Sequence, residues 1–320
     1  GCPTGIAIQT IFDQLGRVSH WTVILMERVG IIANPGKPII QSLIPWLLQW
    51  LEEKVMKPSL TDNLAESIDD DRLRDHCRVV ESEPMVVKEV DWVIAIGGDG
   101  TLLKTARLVG GSDIPILGVN TGTLGFMMQT TPDELIVALD HIVQGAYFLD
   151  TRLVLQAHVN GGRGSVGGLG KIYSALNDIV IDKGAICRVI EMTLLVNGEY
   201  VNTVIGDGLI ISTPTGSTAY SLASGGPIVV PELEAMILSP ICPHSLSNRA
   251  MVLSSHDRVV LEVRADHPDL MLTIDGQESV LIQPGDCIEL WRAPYTIKLI
   301  RYPGRSFYDV LRTKLKWGER

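Results

Sequence analysis

Three short segments combine chemically capable residue types with spacing that points to a phosphorylated ligand. The first is Gly97-Gly98-Asp99-Gly100-Thr101, which follows the apolar run Trp92–Ile96 and precedes a helical pattern from Thr101 to Leu108. Glycines at such a junction let main-chain N–H groups approach phosphate oxygens. Neither standard phosphate fingerprint is present. Leu103 takes the place of a third dinucleotide-loop glycine, and no Gly-Lys-Ser/Thr ending follows. Asp99 is the informative residue. A carboxylate facing phosphate repels it unless it binds a metal ion or accepts a proton from an attacking hydroxyl, and both roles belong to phosphoryl transfer. The competing reading is a plain turn in which Asp99 caps the helix that follows.

The second segment, Asn120-Thr121-Gly122-Thr123-Leu124-Gly125-Phe126, follows another apolar run, Ile114–Val119. Its glycines suit a backbone that passes close to a ligand, and Phe126 could cover an adenine or ribose face. An ordinary loop with Phe126 in the core is the alternative. The third segment runs from Asp207 to Ser221, an apolar strand leading into a series of hydroxyl-bearing and small residues, with Gly225-Gly226-Pro227 beyond it. A linker rarely lies between Leu-Ile-Ile and Ile-Val-Val, so a wall of hydroxyls and backbone groups against a nucleotide fits better.

These segments need elements to hold them, and the chain divides by texture near residue 150. Before it, short apolar runs at Val29–Ala33, Trp92–Ile96 and Ile114–Val119 alternate with helical patterns. This predicts a parallel sheet covered on both faces. One helix carries Ile40, Ile44, Leu47, Leu48, Leu51 and Val55 on one face, with Pro45 predicting a kink or break. Thr131-Pro132-Asp133-Glu134 reads as a capping box opening another that ends at Gly145. Residues 57–85 show little pattern and read as loop with some helix. After residue 150, alternating β-branched runs dominate. Asn197-Gly198 marks a hairpin, and the glycine-rich stretch 161–170 reads as a mobile hairpin loop. The fold class expected is an α/β N-terminal domain with a parallel sheet, then a mostly antiparallel β-rich domain. The boundaries expected are an extension over 1–25, the α/β domain over 26–148 with the tail 295–320 packing back on it, and the β-rich domain over 149–294.

Composition narrows the partners. The 320 residues are 46% apolar with a formal net charge of −10, which disfavours nucleic-acid or anionic-membrane binding but leaves room for a small phosphorylated ligand. No stretch is long and apolar enough to span a bilayer. The five cysteines are odd in number and lack zinc-like spacing, which favours buried thiols in a reducing, cytoplasmic setting.

The order Gly-Gly-Asp-Gly-Thr, Asn-x-Gly-x-Leu-Gly-Phe, an Asn-acidic pair, then Asp-Gly-Leu-Ile-Ile-Ser-Thr-Pro-Thr-Gly-Ser-Thr-Ala-Tyr resembles the NAD kinase family over about residues 26–316. The last motif is long and specific; the first is shared with related lipid and sugar kinases. The resemblance implies transfer of a phosphoryl group from ATP or polyphosphate to the 2′-hydroxyl of NAD, with Mg²⁺ as the divalent metal. It implies that Asp99 takes the hydroxyl proton, with Gly100 beside it. It places Asn177 and Asp178 on the ribose hydroxyls, although the pair is usually Asn-Glu and Asp178 is one methylene shorter. Thr218, Ala219, Tyr220 and Ser221 would line the adenine and nicotinamide regions, and Phe126 would sit by the adenine. Asp207 would reach the nicotinamide end from a neighbouring subunit of a homodimer or homotetramer. Lys104, Arg188 and Gln277 match further binding positions. Some family members carry Arg where this chain has Ile205, which leaves NADH acceptance open. A kinase for another acceptor, or a non-catalytic NAD(P)-binding regulator, would share parts of the pattern.

Overall fold

The computed structural model describes residues 26–161, 170–184 and 188–318. The extension over 1–25 and nearly all of the glycine-rich loop lie outside them. The centre of the first half is strand β4 (Trp92–Gly97), buried along its whole length. Its side chains alternate: Trp92, Ile94 and Ile96 enter one core, Val93 and Ala95 another. That two-sided burial is why the run reads as continuously apolar. With β1 (Arg28–Ala33), β2 (Lys57–Thr61), β3 (Arg78–Val80) and β5 (Ile116–Asn120) it forms parallel pairs in the order β3-β2-β1-β4-β5. The order turns back between β1 and β4, so the carboxyl ends of these strands frame a switch-point crevice.

Helices cover both faces. Helix α1 (Pro38–Glu53) contributes Ile40, Ile44, Leu47, Leu48 and Leu51 to the first core. Helix α2 (Asp99–Val109) contributes Leu102, Leu103, Ala106 and Val109 to the second, and α3 (Leu135–Val143) returns to the first with Leu135, Ala138, Leu139 and Ile142. Two expectations need correction. Helix α1 has no break at Pro45, because its buried face outweighs one lost helical hydrogen bond, and it ends at Glu53, so Val55 lies beyond it and is exposed rather than on its apolar face. Residues 57–85 include β2 and β3; Lys57-Pro58-Ser59-Leu60-Thr61 has too few apolar positions to show a strand period, and β1 recruits it by pairing. The Thr131–Glu134 capping box is present, with the Glu134 carboxylate accepting the Thr131 N–H at 3.0 Å.

The second half is antiparallel. Strands β6 (Phe148–Asn160), β7 (Ile172–Ala175), β8 (Asp178–Asp182), β9 (Ile190–Val196), β10 (Glu199–Gly206), β11 (Gly208–Ser212) and β12 (Ala235–Ile241) are followed by β13 (Met251–Ser254), β14 (Val259–Arg264), β15 (Leu270–Ile274), β16 (Glu278–Ile282) and β17 (Cys287–Arg301). Six of them form a separate sheet in the order β13-β12-β11-β8-β15-β16. Its apolar face packs on β6, β7, β9, β14 and β17 through a core that includes Leu155, Ile179, Ile181, Ile211, Leu261 and Leu290. Asn197 and Gly198 both have positive φ, as the β9–β10 hairpin turn requires.

Strand β17 joins the halves. Its first part pairs antiparallel with β14, while Leu299 lies parallel to Ile116 of β5, and β6 runs antiparallel beside it throughout. Ile300 belongs to the first-half core. Helix α4 (Phe307–Leu315) follows, opened by a Ser306/Asp309 capping box. The architecture is an α/β unit with a parallel sheet followed by an antiparallel β-rich unit, as the sequence pattern implies. Among the described residues, no helix is long and apolar enough to cross a membrane. Burial raises the Cys77 thiol to about 12, whereas Cys242 is exposed, against the expectation of buried thiols.

Candidate active site

The site begins where β4 ends. Gly98 is the N-cap of α2 in extended conformation, and Asp99 is the first helical residue. The carboxylate of Asp99 does not cap this helix. It accepts the N–H of Phe126 at Oδ2 (3.1 Å) and the N–H of Met128 at Oδ1 (3.3 Å). Gly125 makes this approach possible: a Cβ there would lie 2.2 Å from Asp99 Oδ1. The glycine-rich loop after β4 and the one after β5 are therefore one structure, and the plain-turn reading of Asp99 fails. Thr121 adds a second tie, its N–H donating to the Gly97 carbonyl at 2.8 Å. At the same strand ends Lys37 Nζ donates to Thr121 Oγ1 at 3.1 Å. Lys37 lies in the turn after β1, where nothing but its place in the fold distinguishes it from other lysines.

A second cluster lies across from it. Asn177 and Asp178, at the start of β8, line an open cleft of about 370 Å³ together with Asp182, Ala219, Tyr220, Thr273, Asp275 and Gly276. Asp275 sits in the β15–β16 turn with positive φ and accepts three main-chain N–H groups, from Leu176 (3.0 Å), Asn177 (2.7 Å) and Asp178 (3.2 Å). Burial raises the Asp178 carboxyl to about 7, the neighbouring Asp275 adds to this, and the Tyr220 amide partly offsets it. Burial also raises Asp275, opposed by its three amides. The amides make Asp275 the member that keeps the charge, and Asp178 the one that holds a proton. Asn177 Oδ1 is buried and has no partner among the described residues. A buried acceptor left bare beside a cleft is suited to a ligand donor.

Gln277 links the clusters. Its Nε2 donates to the Gly100 carbonyl at 2.7 Å, and its Oε1 accepts from Arg107 Nη2 at 3.0 Å. Asp99, Gly100, Gln277, Asn177, Asp178, Ala219 and Tyr220 are thus brought into one region. The segment with Thr218 and Ser221 is spent differently from the hydroxyl wall expected. Thr213 donates to the Leu176 carbonyl, Ser217 to the Pro214 carbonyl, Thr218 to the Thr215 carbonyl, and the fully buried Ser221 shares its hydroxyl with Ser239. These hydroxyls replace main-chain partners in a tight, buried, irregular stretch, and that local need accounts for their density. Gly216 within it abuts the Asn177 carbonyl, where a Cβ would come to 2.1 Å.

Three other residues lie outside the cleft lining. Lys104 pairs with Glu83 at 2.5 Å, Asp207 accepts from Lys183 Nζ at 2.7 Å, and Arg188 is exposed. Phe126 is half-buried and enters the site through its amide. Among the described residues no cluster of three or more His, Cys, Asp or Glu could hold a metal ion.

An ion cluster lies behind the Asp99 loop. Asp150 accepts from Arg152 Nε at 2.9 Å and from Arg301 Nε at 3.2 Å. Arg301 Nη2 also donates to the Met127 carbonyl at 2.8 Å, and Arg152 Nη1 to Thr215 Oγ1 at 3.3 Å. Burial works against the Asp150 charge, but the two guanidiniums hold its carboxyl below the usual range.

Known proteins share the sequence pattern and the fold. The family model described as the ATP-NAD kinase N-terminal domain matches residues 29–147, and that of the ATP-NAD kinase C-terminal domain matches residues 176–302. The NAD kinase of Geobacter metallireducens is 41% identical over 295 residues, covering 92% of this chain and all of that protein. The NAD kinase of Syntrophotalea carbinolica is 40% identical over 300 residues, with the same coverage. Yeast NADH kinase complexed with NADH superposes with a TM-score of 0.82 at 24% identity, covering 92% of this chain and 89% of that one. An NAD kinase from Archaeoglobus fulgidus in complex with ATP gives 0.68 at 22% identity, over 90% and 98%. Two family matches in series, full-length relatives and a fold that assembles the same motifs establish that the chain is an enzyme of the NAD kinase family, a phosphotransferase with an alcohol group as acceptor.

Proposed function

We propose that the enzyme transfers the terminal phosphoryl group of ATP, or of polyphosphate, to the 2′-hydroxyl of the adenosine ribose of NAD, making NADP. The observation that carries this reading is the clamp on Asp99. Two amides from the neighbouring loop fix its carboxylate at the carboxyl ends of the parallel strands, and Gln277 joins its loop to the turn bearing Asp275. In this reading Asp99 accepts the hydroxyl proton as the oxygen attacks phosphorus. Asn177 Oδ1 and the Asp178 carboxyl bind ribose hydroxyls, and Ala219 and Tyr220 pack the base. The cleft is in the size range of a small-molecule site.

The N-terminus of α2 and Lys37 would hold the donor phosphates. With no cage of protein carboxylates among the described residues, Mg²⁺ fits as an ion bound largely by the donor phosphates and water, with Asp99 the carboxylate at hand. When bound, it neutralises developing charge on the transferred group. The residues themselves contribute position and proton acceptance. Asp207 is proposed to meet NAD in a homodimer or homotetramer, since no cleft-lining role falls to it within one subunit.

The test is incubation of the protein with NAD, ATP and Mg²⁺, with NADP read by an NADP-specific dehydrogenase. Parallel runs replace ATP by polyphosphate and NAD by NADH. NADP formation that stops without Mg²⁺ supports the reading; NAD binding with no NADP from either donor overturns it.

A further inference from the structure

The Asp150 ion cluster is expensive. Arg152 and Arg301 are 5% and 8% exposed, and Asp150 alternates with strand residues that enter apolar cores. Burying three charges costs more solvation than a packed apolar trio would, so such a cluster is best explained by the geometry it fixes. Both of its outer ends touch main-chain or hydroxyl groups of the site. Met127, whose carbonyl accepts from Arg301, lies between the two residues whose amides hold Asp99. The Met127 carbonyl and the Met128 N–H are the two ends of one trans peptide group, gripped from opposite sides by Arg301 and Asp99, so a rotation that frees the carbonyl also shifts that amide. At the other end, Thr215 begins the turn that carries Gly216 against Asn177 and leads to Ala219 and Tyr220 in the cleft.

We propose that Arg301 and Arg152, joined through Asp150, are positioning residues: Arg301 sets the loop that holds Asp99, and Arg152 sets the segment that walls the NAD cleft. This rests on the assignment of Asp99 and of the cleft made above. The guanidinium is required at both places. Arg301 uses Nε for Asp150 and Nη2 for Met127, and Arg152 uses Nε and Nη2 for Asp150 and Nη1 for Thr215. A lysine keeps the charge but lacks a planar fork to span two partners. The two arginines share one carboxylate yet govern different steps, which separates positioning from simple structural support.

The test compares Arg301→Lys, Arg152→Lys and Asp99→Asn with the wild type, in kcat, KM for NAD and thermal midpoint. Arg301→Lys is expected to lose about 100-fold in kcat, the scale of a small misplacement of a reacting group, with KM for NAD little changed. Arg152→Lys is expected to raise KM for NAD about tenfold with kcat little changed. Variants that alter the same parameter in parallel, or match the wild type, overturn the proposal. If Asp99→Asn keeps its turnover, the base assignment itself falls, and that outcome is distinct. Should Arg152→Lys fail to fold, Thr215→Val carries its arm of the test by removing the hydroxyl that Arg152 holds. A raised KM at unchanged kcat supports the role given to Arg152, and an unchanged KM overturns it.

Discussion

The carboxylate of Asp99 accepts the main-chain N–H of Phe126 at 3.1 Å, from a loop 27 residues further along the chain. Two glycine-rich segments that look like separate phosphate loops in the sequence therefore act as one. The first supplies the carboxylate and the helix N-terminus, and the second aims the carboxylate. This division explains why Asp99 sits one position inside the helix, where its side chain is free to leave the helix axis.

Gly125 is the residue on which that contact depends. In Gly125→Ala the new Cβ would meet Asp99 Oδ1 at 2.2 Å and Cγ at 2.7 Å. The expected result is a fall in kcat of about 100-fold. The accompanying loss of stability should be roughly 1–3 kcal/mol, as for other overpacked sites. Steady-state kinetics and thermal unfolding check this. A variant with normal kcat would show that the carboxylate need not be held there.

Asp178 links ligand binding to pH. Its folded value near 7 stands above the ordinary 3.8 because of burial and the adjacent Asp275. Between those values the folded protein keeps a proton that the unfolded chain releases, so stability from this group falls as pH rises through the window and stays low above it. Asp178→Asn should melt higher than the wild type at pH 8, with the gap closing towards pH 5, while its KM for NAD rises. A gap independent of pH would contradict the raised value.

Asn177 tests whether a bare acceptor is a binding group. Asn177→Ala removes a buried oxygen that has no partner among the described residues. It should weaken NAD binding about tenfold, the value of one lost hydrogen bond, without lowering the melting temperature. Calorimetric titration with NAD and a melting curve measure both. A large loss of stability with unchanged NAD affinity would mark Asn177 as structural.

Legibility in the sequence followed contact distance. The buried strands β1, β4 and β5, the Thr131 capping box and the Asn197-Gly198 turn are local patterns, and each stands where its residues indicate. Strands β2 and β3 were hidden because pairing, rather than their own composition, makes them strands. In the site, the Asp99 loop and the Asn177-Asp178 pair were visible as motifs. Asp275 was not, since its partners lie 97 to 99 residues away, although Asp275-Gly276 between alternating runs was a hairpin signal. Arg301 and Asp150 are 151 residues apart, and no local pattern in the sequence ties one to the other. In the hydroxyl-rich segment, Thr213, Ser217 and Ser221 bond to nearby protein groups, while Ala219 and Tyr220 line the cleft.

The assignment of the base is tested most directly by Asp99→Asn, with kcat and the NAD dissociation constant measured on one preparation. The amide keeps the side chain's shape and one of the two oxygens that accept the clamping N–H groups, and it loses the ability to take a proton. NAD affinity should stay close to that of the wild type while kcat falls by about 10³, within the range for removal of a general base. Near-normal turnover with intact NAD binding would contradict the role given to Asp99.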